Sequence, residues 1–242
     1  MGDTVRRSVR PSSPQVHKLL LHLEAKGFQG APRFLGIDEK GREILSFIEG
    51  EVTVFSPPSG MFDDEALAAA AKLLRCFHDA TTDFCSSHPQ HWQFQIGAPR
   101  SGPVICHNDV GPYNTVYNNG RPTAFIDWDF AAPAPREWDI AYALWRFVPL
   151  YADAQCAKLG WPLTPRGPRI RRFLDAYELD DRIDVLNVVK ERQESVRLTI
   201  ESKAADLDPV YVDLLAEGRV IEILGNTSYL EQSRQEWNCF LQ

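Results

Sequence analysis

Three side chains with oxygen atoms for proton transfer or metal binding form the strongest chemical pattern in this sequence. A short apolar run, Val104–Cys106, leads into a His-x-Asp step that ends on Asp109, and Asn114 follows five residues later. A second apolar run ends next to Asp127. A carboxylate can accept the proton of an attacking hydroxyl, and an amide oxygen together with a second carboxylate suits Mg²⁺. The pattern therefore predicts phosphoryl transfer to a hydroxyl, with Asp109 at the hydroxyl and Asn114 and Asp127 on the metal.

A tight turn between the two runs is expected to bring the two aspartates together. Asn119-Gly120 is a strong short-range signal for a β-hairpin. We expect one strand to enter this turn and a second to return towards Asp127, so that both loops meet at one end of the hairpin. His107 is expected to support the loop of Asp109 through hydrogen bonds.

Two more acidic residues lie close to these motifs. Asp129 follows Asp127 by two residues, and it is interpreted either as an auxiliary metal ligand or as a cap of a turn or helix. Asp139 opens an apolar helix, so we expect it to be buried and to have hydrogen-bond donors around it. We predict that Asp139 braces the backbone of the catalytic loop. Cys106 is expected to be a small apolar strand residue.

Composition and charge exclude several classes of protein. The 242 residues are 44% hydrophobic and 24% charged, as in a globular protein with a sizeable core. The net charge of -7 argues against nucleic-acid binding and suits either a cationic substrate or simple solubility. The five cysteines show no CxxC spacing, which favours a reducing cytoplasm over a disulfide framework or zinc site. Neither a secretory signal nor an apolar run of the roughly 20 residues that span a membrane is visible.

The rest of the chain predicts a small mixed unit followed by a large helical one. Residues 1–50 should contain a strand at 4–7, a helix at 14–26 and strands around 32–37 and 43–48. Beyond them the periodicity predicts helices around residues 67–77, 137–150, 168–177, 181–204, 209–216 and 220–240. We expect a hinge at residues 46–50, a helical domain at 51–242, and a ligand cleft between the two units.

These motifs resemble those of the aminoglycoside phosphotransferase and choline kinase-like family, the small-molecule relatives of the protein kinases. The resemblance extends over residues 4–147, and the two aspartate motifs are its specific part. It implies an α+β, protein-kinase-like fold of two lobes, with a small mixed N-lobe and a large, mainly helical C-lobe. It also implies Mg²⁺ and ATP or GTP as cofactors.

The resemblance can be carried over to individual residues. Asp109 resembles the catalytic aspartate of the family, and Asn114 and Asp127 resemble its metal ligands. Ser46, Phe47 and Ile48 resemble the interlobe hinge, whose backbone meets the purine, while Arg6 falls where the family has its phosphate-contacting lysine.

Three departures from the family pattern concern the N-lobe, which is shortened. The first hairpin, which normally covers the phosphates of ATP, and its glycine-rich loop are missing. The strand carries Arg6-Arg7 in place of lysine, and arginine differs from lysine in geometry and hydration. The glutamate expected early in the following helix is replaced by apolar or basic residues near Val16, and Glu24 lies at the far end of that helix.

The leading hypothesis is a Mg²⁺-dependent kinase that phosphorylates a hydroxyl of a small, cationic, aminoglycoside-like molecule, as in antibiotic resistance. Choline, homoserine, macrolide and sugar hydroxyls remain alternatives. Acidic residues of the helical half are candidates for binding a cation, namely Asp153, Glu194, Glu201, Asp206 and Asp208.

The runner-up is a degenerate, non-catalytic relative that binds a ligand or partner. A third reading places the true start upstream of Met1, and a metal-dependent hydrolase is a distant fourth, since it would need more ligands near Asp127. An apolar strand edge exposed by the shortened N-lobe could also support a homodimer.

Overall fold

A three-stranded antiparallel sheet and one helix form the N-terminal part of the chain. The computed structural model describes residues 2–53, 57–85 and 92–241. The sheet has the strand order β1-β3-β2, which makes β1 an edge strand within the described residues. Its elements are β1 (Thr4–Ser8), α1 (Ser13–Ala25), β2 (Phe34–Ile37) and β3 (Arg42–Ser46). The strands and the helix predicted in this region are confirmed, with ends shifted by up to two residues.

The apolar face of α1 anchors this sheet to the rest of the molecule. Val16, Leu19, Leu20 and Leu23 follow the spacing of one helix face, and each is at most 1% exposed. The helix begins with Pro14 in its first turn, where a missing backbone N–H costs no hydrogen bond.

Two short antiparallel ribbons hold the two aspartate motifs. The first pairs β4 (Val104–Cys106) with β7 (Ala132–Ala134), and the second pairs β5 (Thr115–Asn118) with β6 (Arg121–Phe125). Asn119 and Gly120 join the second ribbon with φ values of 50° and 72°, as a tight hairpin turn requires. The predicted hairpin is therefore confirmed. The strand β7 was not predicted because proline is uncommon in strands and Pro133 lies at its centre.

Helices make up most of the remaining chain. They are α2 (Asp64–Ala80), α3 (Arg136–Phe147), α4 (Asp153–Lys158), α5 (Arg166–Tyr177), α6 (Val185–Ala205), α7 (Pro209–Ala216) and α8 (Arg219–Asn238). The prediction of a mixed first part and a mainly helical second part is confirmed. Only α4 was missed among these helices, since six residues are too few for an apolar period to be read.

Aromatic packing beneath the site connects the helices to the two ribbons. The ring of Phe77, on α2, meets Trp128 edge to face at a centroid distance of 4.8 Å. The same indole lies 4.6 Å from the ring of His107. Phe77, His107 and Trp128 are at most 1% exposed. Both aspartate loops therefore rest on one rigid part of the core.

The segment predicted as a hinge is tied to the second ribbon. The backbones of Glu51 and Tyr117 exchange two hydrogen bonds of 2.8 Å. Gly50 precedes this bridge with φ = 150°, and a Cβ there would lie 2.5 Å from Val116. Only glycine fits this close approach without rearrangement. Across the described ranges, the structure contains no helix with both the length and the apolar character that a membrane crossing needs.

Candidate active site

The backbone of the loop after β4 is held by one buried carboxylate. The amides of His107 and Asn108 donate to Asp139 Oδ2 and Oδ1 over 2.6 and 2.8 Å. Asn108 has φ = 66°, a left-handed conformation that asparagine tolerates better than most residues. Asp139 is fully buried in α3. The predicted brace of the catalytic loop is thus confirmed by these contacts.

A histidine and a tyrosine extend this brace into the core. His78 Nε2 lies 3.2 Å from Asp139 Oδ2, and His78 Nδ1 lies 2.7 Å from the hydroxyl of Tyr177. Burial lowers the pKa of His78, and the nearby carboxylate only partly offsets this. Burial tends to raise the pKa of Asp139, but contacts with His78 and the His107 amide outweigh it and lower that pKa. The arrangement fits a neutral imidazole that donates through Nε2 and accepts from the phenol through Nδ1.

His107 connects the two aspartate loops through its ring. Its Nδ1 accepts from the Asp109 amide at 3.3 Å, and its Nε2 donates to the carbonyl oxygen of Ile126 at 3.1 Å. The ring is fully buried. These bonds occupy both ring nitrogens, as expected for a residue that positions the loops rather than one that exchanges protons with a substrate.

The Asp109 carboxylate is surrounded by hydrogen-bond donors. Its Oδ1 accepts from the hydroxyls of Tyr113 and Tyr142 at 2.6 and 2.7 Å. Its Oδ2 accepts from Asn114 Nδ2 at 2.9 Å. Burial raises the pKa of Tyr142 to about 12 and that of Tyr113 well above its usual value, so both phenols stay protonated donors. The two tyrosines were not singled out from the sequence, although Tyr113 lies within the motif.

Asn114 bridges the two loops and leaves its amide oxygen for another partner. Its side-chain nitrogen also donates to the Asp109 carbonyl oxygen at 3.0 Å, and its backbone carbonyl accepts from the Ile126 amide at 2.9 Å. Because Asn114 Nδ2 points to Asp109, its Oδ1 is directed away from that residue. Asp127, which follows Ile126 in the chain, has φ = 62° and a half-exposed side chain. An amide oxygen and an accessible carboxylate on adjoining loops form a donor set that suits Mg²⁺.

Arg7 forms an ion pair with the Asp127 carboxylate. Its guanidinium donates to Asp127 Oδ1 at 3.1 Å, to Asp129 Oδ1 at 2.6 Å and to Glu43 Oε1. Burial tends to lower the pKa of Arg7, but the three carboxylates outweigh this effect and raise it. Arg6, which the sequence analysis assigned to the phosphates, instead lies 3.7 Å from Asp38.

The alternation of side chains along β1 separates the two arginines. Arg6 and Arg7 are neighbours, so they project to opposite faces of the sheet. Arg7 shares a cavity with Val5, two residues before it, whereas Arg6 is not among the described residues that line this cavity. This period of two was the signal that could have identified Arg7.

The carboxylate expected on the helix is supplied by a strand instead. Glu43, on β3, is 1% exposed and contacts both Arg7 and His17 Nε2, the latter at 2.5 Å. Glu24, at the far end of α1, lies 3.4 Å from Arg33. Sequence reasoning missed Glu43 because nothing in an alternating strand distinguishes a paired acid from an exposed one.

Asp129 accepts from arginines of the N-terminal segment. Besides Arg7, its second oxygen lies 3.1 Å from Arg10 Nε. Burial raises the pKa of Asp129, and the two guanidinium groups only partly oppose this. These contacts give Asp129 a role in holding Arg7.

A cavity of about 510 Å³ lies between β1, the hinge and the loop of Asp127. Ser46, Phe47 and Ile48, the three predicted hinge residues, line it together with Arg7 and Asp127. Its remaining walls are mainly apolar, with lining side chains that include Val5, Leu45, Val52, Val116 and Ile126. The lining of this cavity therefore combines apolar walls with one cation and one carboxylate.

A second cavity, of about 490 Å³, opens on the side of Asp109. Its walls come from the catalytic loop, α3, α6 and α7, and they are rich in aromatic rings. The aromatic residues that line it are Tyr113, Phe130, Tyr142, Tyr151, Trp161 and Tyr211. The five acids proposed from the sequence to bind a cation are not among the described residues of this lining.

Comparison of the sequence with known proteins gives two matches. A family model described as "Phosphotransferase enzyme family" matches residues 86–174. The trifolitoxin immunity protein of Rhizobium leguminosarum bv. trifolii is 34% identical over 223 residues, which cover 87% of this chain and 84% of that protein.

Solved structures share the fold. A choline/ethanolamine kinase family protein from Mesorhizobium loti has a TM-score of 0.58 at 15% identity, covering 99% of this chain and 86% of its own. A spectinomycin phosphotransferase in complex with ADP and spectinomycin has a TM-score of 0.56 at 14% identity, with 95% and 80% covered. At these identities the likeness concerns the fold alone, and it confirms the predicted protein-kinase-like α+β architecture.

Proposed function

The chain belongs to the phosphotransferase family of the aminoglycoside phosphotransferases and choline kinases, and we propose that it transfers the γ-phosphate of ATP or GTP to a hydroxyl of a small molecule with the help of Mg²⁺. The family model matches residues 86–174, a range that includes both aspartate motifs.

One observation carries the proposal. The two aspartates face two different cavities of similar size: Asp127 lines the cavity of about 510 Å³ next to the hinge, and Asp109 lines the cavity of about 490 Å³. Asn114 and His107 connect the two loops by direct hydrogen bonds. A donor and an acceptor that bind on opposite sides of such a pair could meet in line, which is the main requirement of phosphoryl transfer.

Each residue then has a defined task. Ser46, Phe47 and Ile48 would hold the purine, and Arg7 would contact the phosphates in the place that sequence reasoning gave to Arg6. Asn114 Oδ1 and the Asp127 carboxylate would hold Mg²⁺, which, when bound, neutralises charge on the phosphate oxygens.

Asp109 would orient the acceptor and take up its proton. In the reaction the hydroxyl oxygen forms a bond to the γ-phosphorus, the bond from that phosphorus to the β,γ-bridging oxygen breaks, and the nucleoside diphosphate leaves with the electron pair. The hydroxyl proton passes to Asp109. The two phenols on Oδ1 keep the carboxylate in place, and an incoming hydroxyl could replace one of them as donor.

A second candidate is a protein that binds its ligand without turnover. The observation in its favour is the ion pair between Arg7 and Asp127, which occupies one oxygen of the proposed metal ligand. On this alternative Arg7 takes the place of the metal, and nucleotide binding would not depend on Mg²⁺.

Calorimetric titration with ATP and GTP, each with and without Mg²⁺, distinguishes the two. We expect micromolar to submillimolar binding that is lost in Asp127→Ala and kept in Asp180→Ala, a control that removes an exposed aspartate distant in sequence from both motifs. Asp109→Ala should bind nucleotide and fail to turn over. Equal nucleotide affinity in wild type and Asp127→Ala, or full turnover in Asp109→Ala, would refute the assignment.

The reaction is proposed to serve protection of the cell. The relative from Rhizobium is named for immunity to trifolitoxin, and phosphorylation of a hydroxyl adds negative charge and bulk to a toxic compound. The proposed location of this reaction is the cytoplasm.

A further inference from the structure

Two of the three charged residues among the described lining of the cavity beside Asp109 are arginines. Asp109 is the only acidic residue among the described residues that line it, and Arg146 and Arg219 line it too. Arg219 pairs with Glu222 at 2.7 Å. Arg146 pairs with no carboxylate within 4 Å in the described part of the chain.

Arg146 is held by phenols and an aromatic ring. Its Nη1 donates to the Tyr151 hydroxyl at 3.1 Å and its Nη2 to the Tyr142 hydroxyl at 3.3 Å. Its guanidinium carbon lies 3.7 Å from the ring centre of Trp145, and its buried Nε has no hydrogen-bond partner in the structure. Burial tends to lower the pKa of Arg146, but the neighbouring tyrosines outweigh this effect and raise that pKa. Arg146 therefore stays charged.

A second unpaired guanidinium lies behind the same wall. Arg192 is fully buried and donates to Gln95 Oε1 and the Asn108 carbonyl oxygen, which are both uncharged. It lies 4.5 Å from the ring centre of Tyr142. Tyr142 is thus flanked by two guanidinium groups, and their charge is partly balanced by the Asp109 carboxylate on the same hydroxyl and, for Arg192, by Asp139. A guanidinium that no carboxylate contacts directly favours an anionic ligand over an acceptor with several ammonium groups.

Four of the five acids that were expected to receive a cationic acceptor have partners elsewhere. Glu194 and Glu201 both pair with Arg197, Asp153 pairs with Arg166, and Asp208 caps α7. The cationic, aminoglycoside-like acceptor predicted from the sequence therefore finds no acidic surface in this cavity beyond Asp109 itself.

We propose that the acceptor is a hydroxy acid with an aromatic or apolar body. This inference rests on the proposed phosphotransferase function. The hydroxyl of the acceptor contacts Asp109 and its carboxylate contacts Arg146. The body of the acceptor fills the space between the aromatic walls. Asp109 Oδ1 and Arg146 Nη2 both contact the one hydroxyl of Tyr142, so the hydroxyl and the carboxylate of the acceptor lie close together in the molecule. A cavity of about 490 Å³ holds a molecule of this kind.

Three probe molecules that differ in charge test the proposal. The equilibrium binding of each to the full chain is measured. The probes are 3-phenyllactate, a hydroxy acid; phenylalaninol, with the same ring, a primary hydroxyl and an ammonium group; and kanamycin, a polycation. Calorimetry should show that 3-phenyllactate binds at least tenfold more tightly than either of the others. Arg146→Gln should weaken 3-phenyllactate at least tenfold and leave phenylalaninol within threefold.

The control is Arg172→Gln, which removes the same charge from α5, outside the cavity, and should leave 3-phenyllactate binding within twofold. Arg146→Lys keeps the charge and should retain most of the affinity, which provides a readout if the glutamine variant unfolds. Tighter binding of kanamycin or phenylalaninol, binding of none of the probes at millimolar concentration, or an unchanged affinity in Arg146→Gln would overturn the proposal.

The same samples separate this inference from the proposed function. Loss of Mg·ATP binding with intact, Arg146-dependent 3-phenyllactate binding would refute phosphoryl transfer and support the assignment of the cavity. Intact Mg·ATP binding with no preference for the hydroxy acid would refute the acceptor class and leave the kinase assignment in place.

Discussion

Arg7 and Asp127 form an ion pair of 3.1 Å that joins the first strand of the sheet to the loop proposed to hold the metal. The two residues are far apart in the chain, and the pair connects the N-terminal sheet to the helical part. Glu43 and Asp129 hold the same guanidinium from two other directions. Arg7 is therefore fixed in position before any nucleotide arrives, and a phosphate that binds beside Asp127 meets an oriented donor.

The two neighbouring arginines of β1 provide the first prediction. Arg7→Ala should weaken Mg·ATP binding at least tenfold, since a hydrogen bond to a charged group contributes about 1.5–3 kcal/mol. Arg6→Ala should change it less than twofold, because the Arg6 side chain is 44% exposed and faces Asp38. Calorimetry on both variants measures the difference.

Arg7→Lys is the companion variant in this experiment. It keeps a cation among the three carboxylates and restores the residue type that the family resemblance implies at this strand, so it should recover part of the lost affinity. A larger loss in Arg6→Ala than in Arg7→Ala would return the phosphate contact to Arg6, as the sequence analysis had it.

The second prediction concerns the brace of the catalytic loop. Asp139→Asn replaces one acceptor oxygen by a donor that faces the amide of His107 or Asn108, and it removes the charge that both amides share. The free energy of unfolding should fall by about 2–3 kcal/mol. Urea denaturation measures this change.

Asp213→Asn is a suitable control for this variant, because it makes the same substitution at an exposed position of α7. Its free energy of unfolding should stay within about 0.5 kcal/mol of wild type. An equally small change in Asp139→Asn would show that the two amides do not need the carboxylate.

The local signals in the sequence predicted most of the elements and placed His107, Asp109 and Asn114 in one loop segment. The spacing of His107, Asp109 and Asn114, the turn at Asn119-Gly120 and the apolar period of α1 each depend on residues close together in the chain. Such signals survive in a single sequence because a strand, a hairpin or a helix face is decided locally. The brace by Asp139 was also predictable, since a buried acid requires donors.

Contacts between distant residues could not be read in the same way. The choice of Arg7 over Arg6 depends on which face of β1 turns to the loop of Asp127, and the role of Glu43 depends on strand pairing. The charge of the acceptor cavity depends on α3, α6 and α7 meeting around Asp109. The acids expected to bind a cation were judged by charge alone, and their arginine partners became visible only in three dimensions.

The third prediction uses two glycines with left-handed backbones. Gly50 has φ = 150° and almost no space for a Cβ, whereas Gly41 has φ = 73° and nothing within 4 Å. Gly41→Ala should cost only the backbone strain, about 1–2 kcal/mol. Gly50→Ala adds a clash with Val116 and Tyr117, so it should cost at least about 1 kcal/mol more.

Because Gly50 also lines the hinge cavity, its variant should reduce nucleotide affinity while Gly41→Ala does not. Thermal unfolding and nucleotide titration of both variants provide the comparison. Equal stability and equal affinity in the two variants would mean that the chain near the hinge shifts easily away from the second ribbon.

The fourth prediction is a pH dependence that comes from His78. Burial lowers the pKa of this histidine in the folded chain below the ordinary value of 6.5. The unfolded chain therefore binds the proton more readily, and the contribution of His78 to stability is complete above pH 6.5 and is lost as the pH falls below it. The loss approaches about 1.4 kcal/mol per pH unit below 6.5.

Comparison of urea denaturation at pH 7.5 and pH 5.5 in wild type and His78→Gln isolates this contribution, because the other histidines are the same in both. The glutamine variant can still donate to Asp139 and has no charge to gain, so its free energy of unfolding should change less over this interval. Equal changes in the two proteins would show that His78 takes up its proton as easily in the folded chain as in the unfolded one.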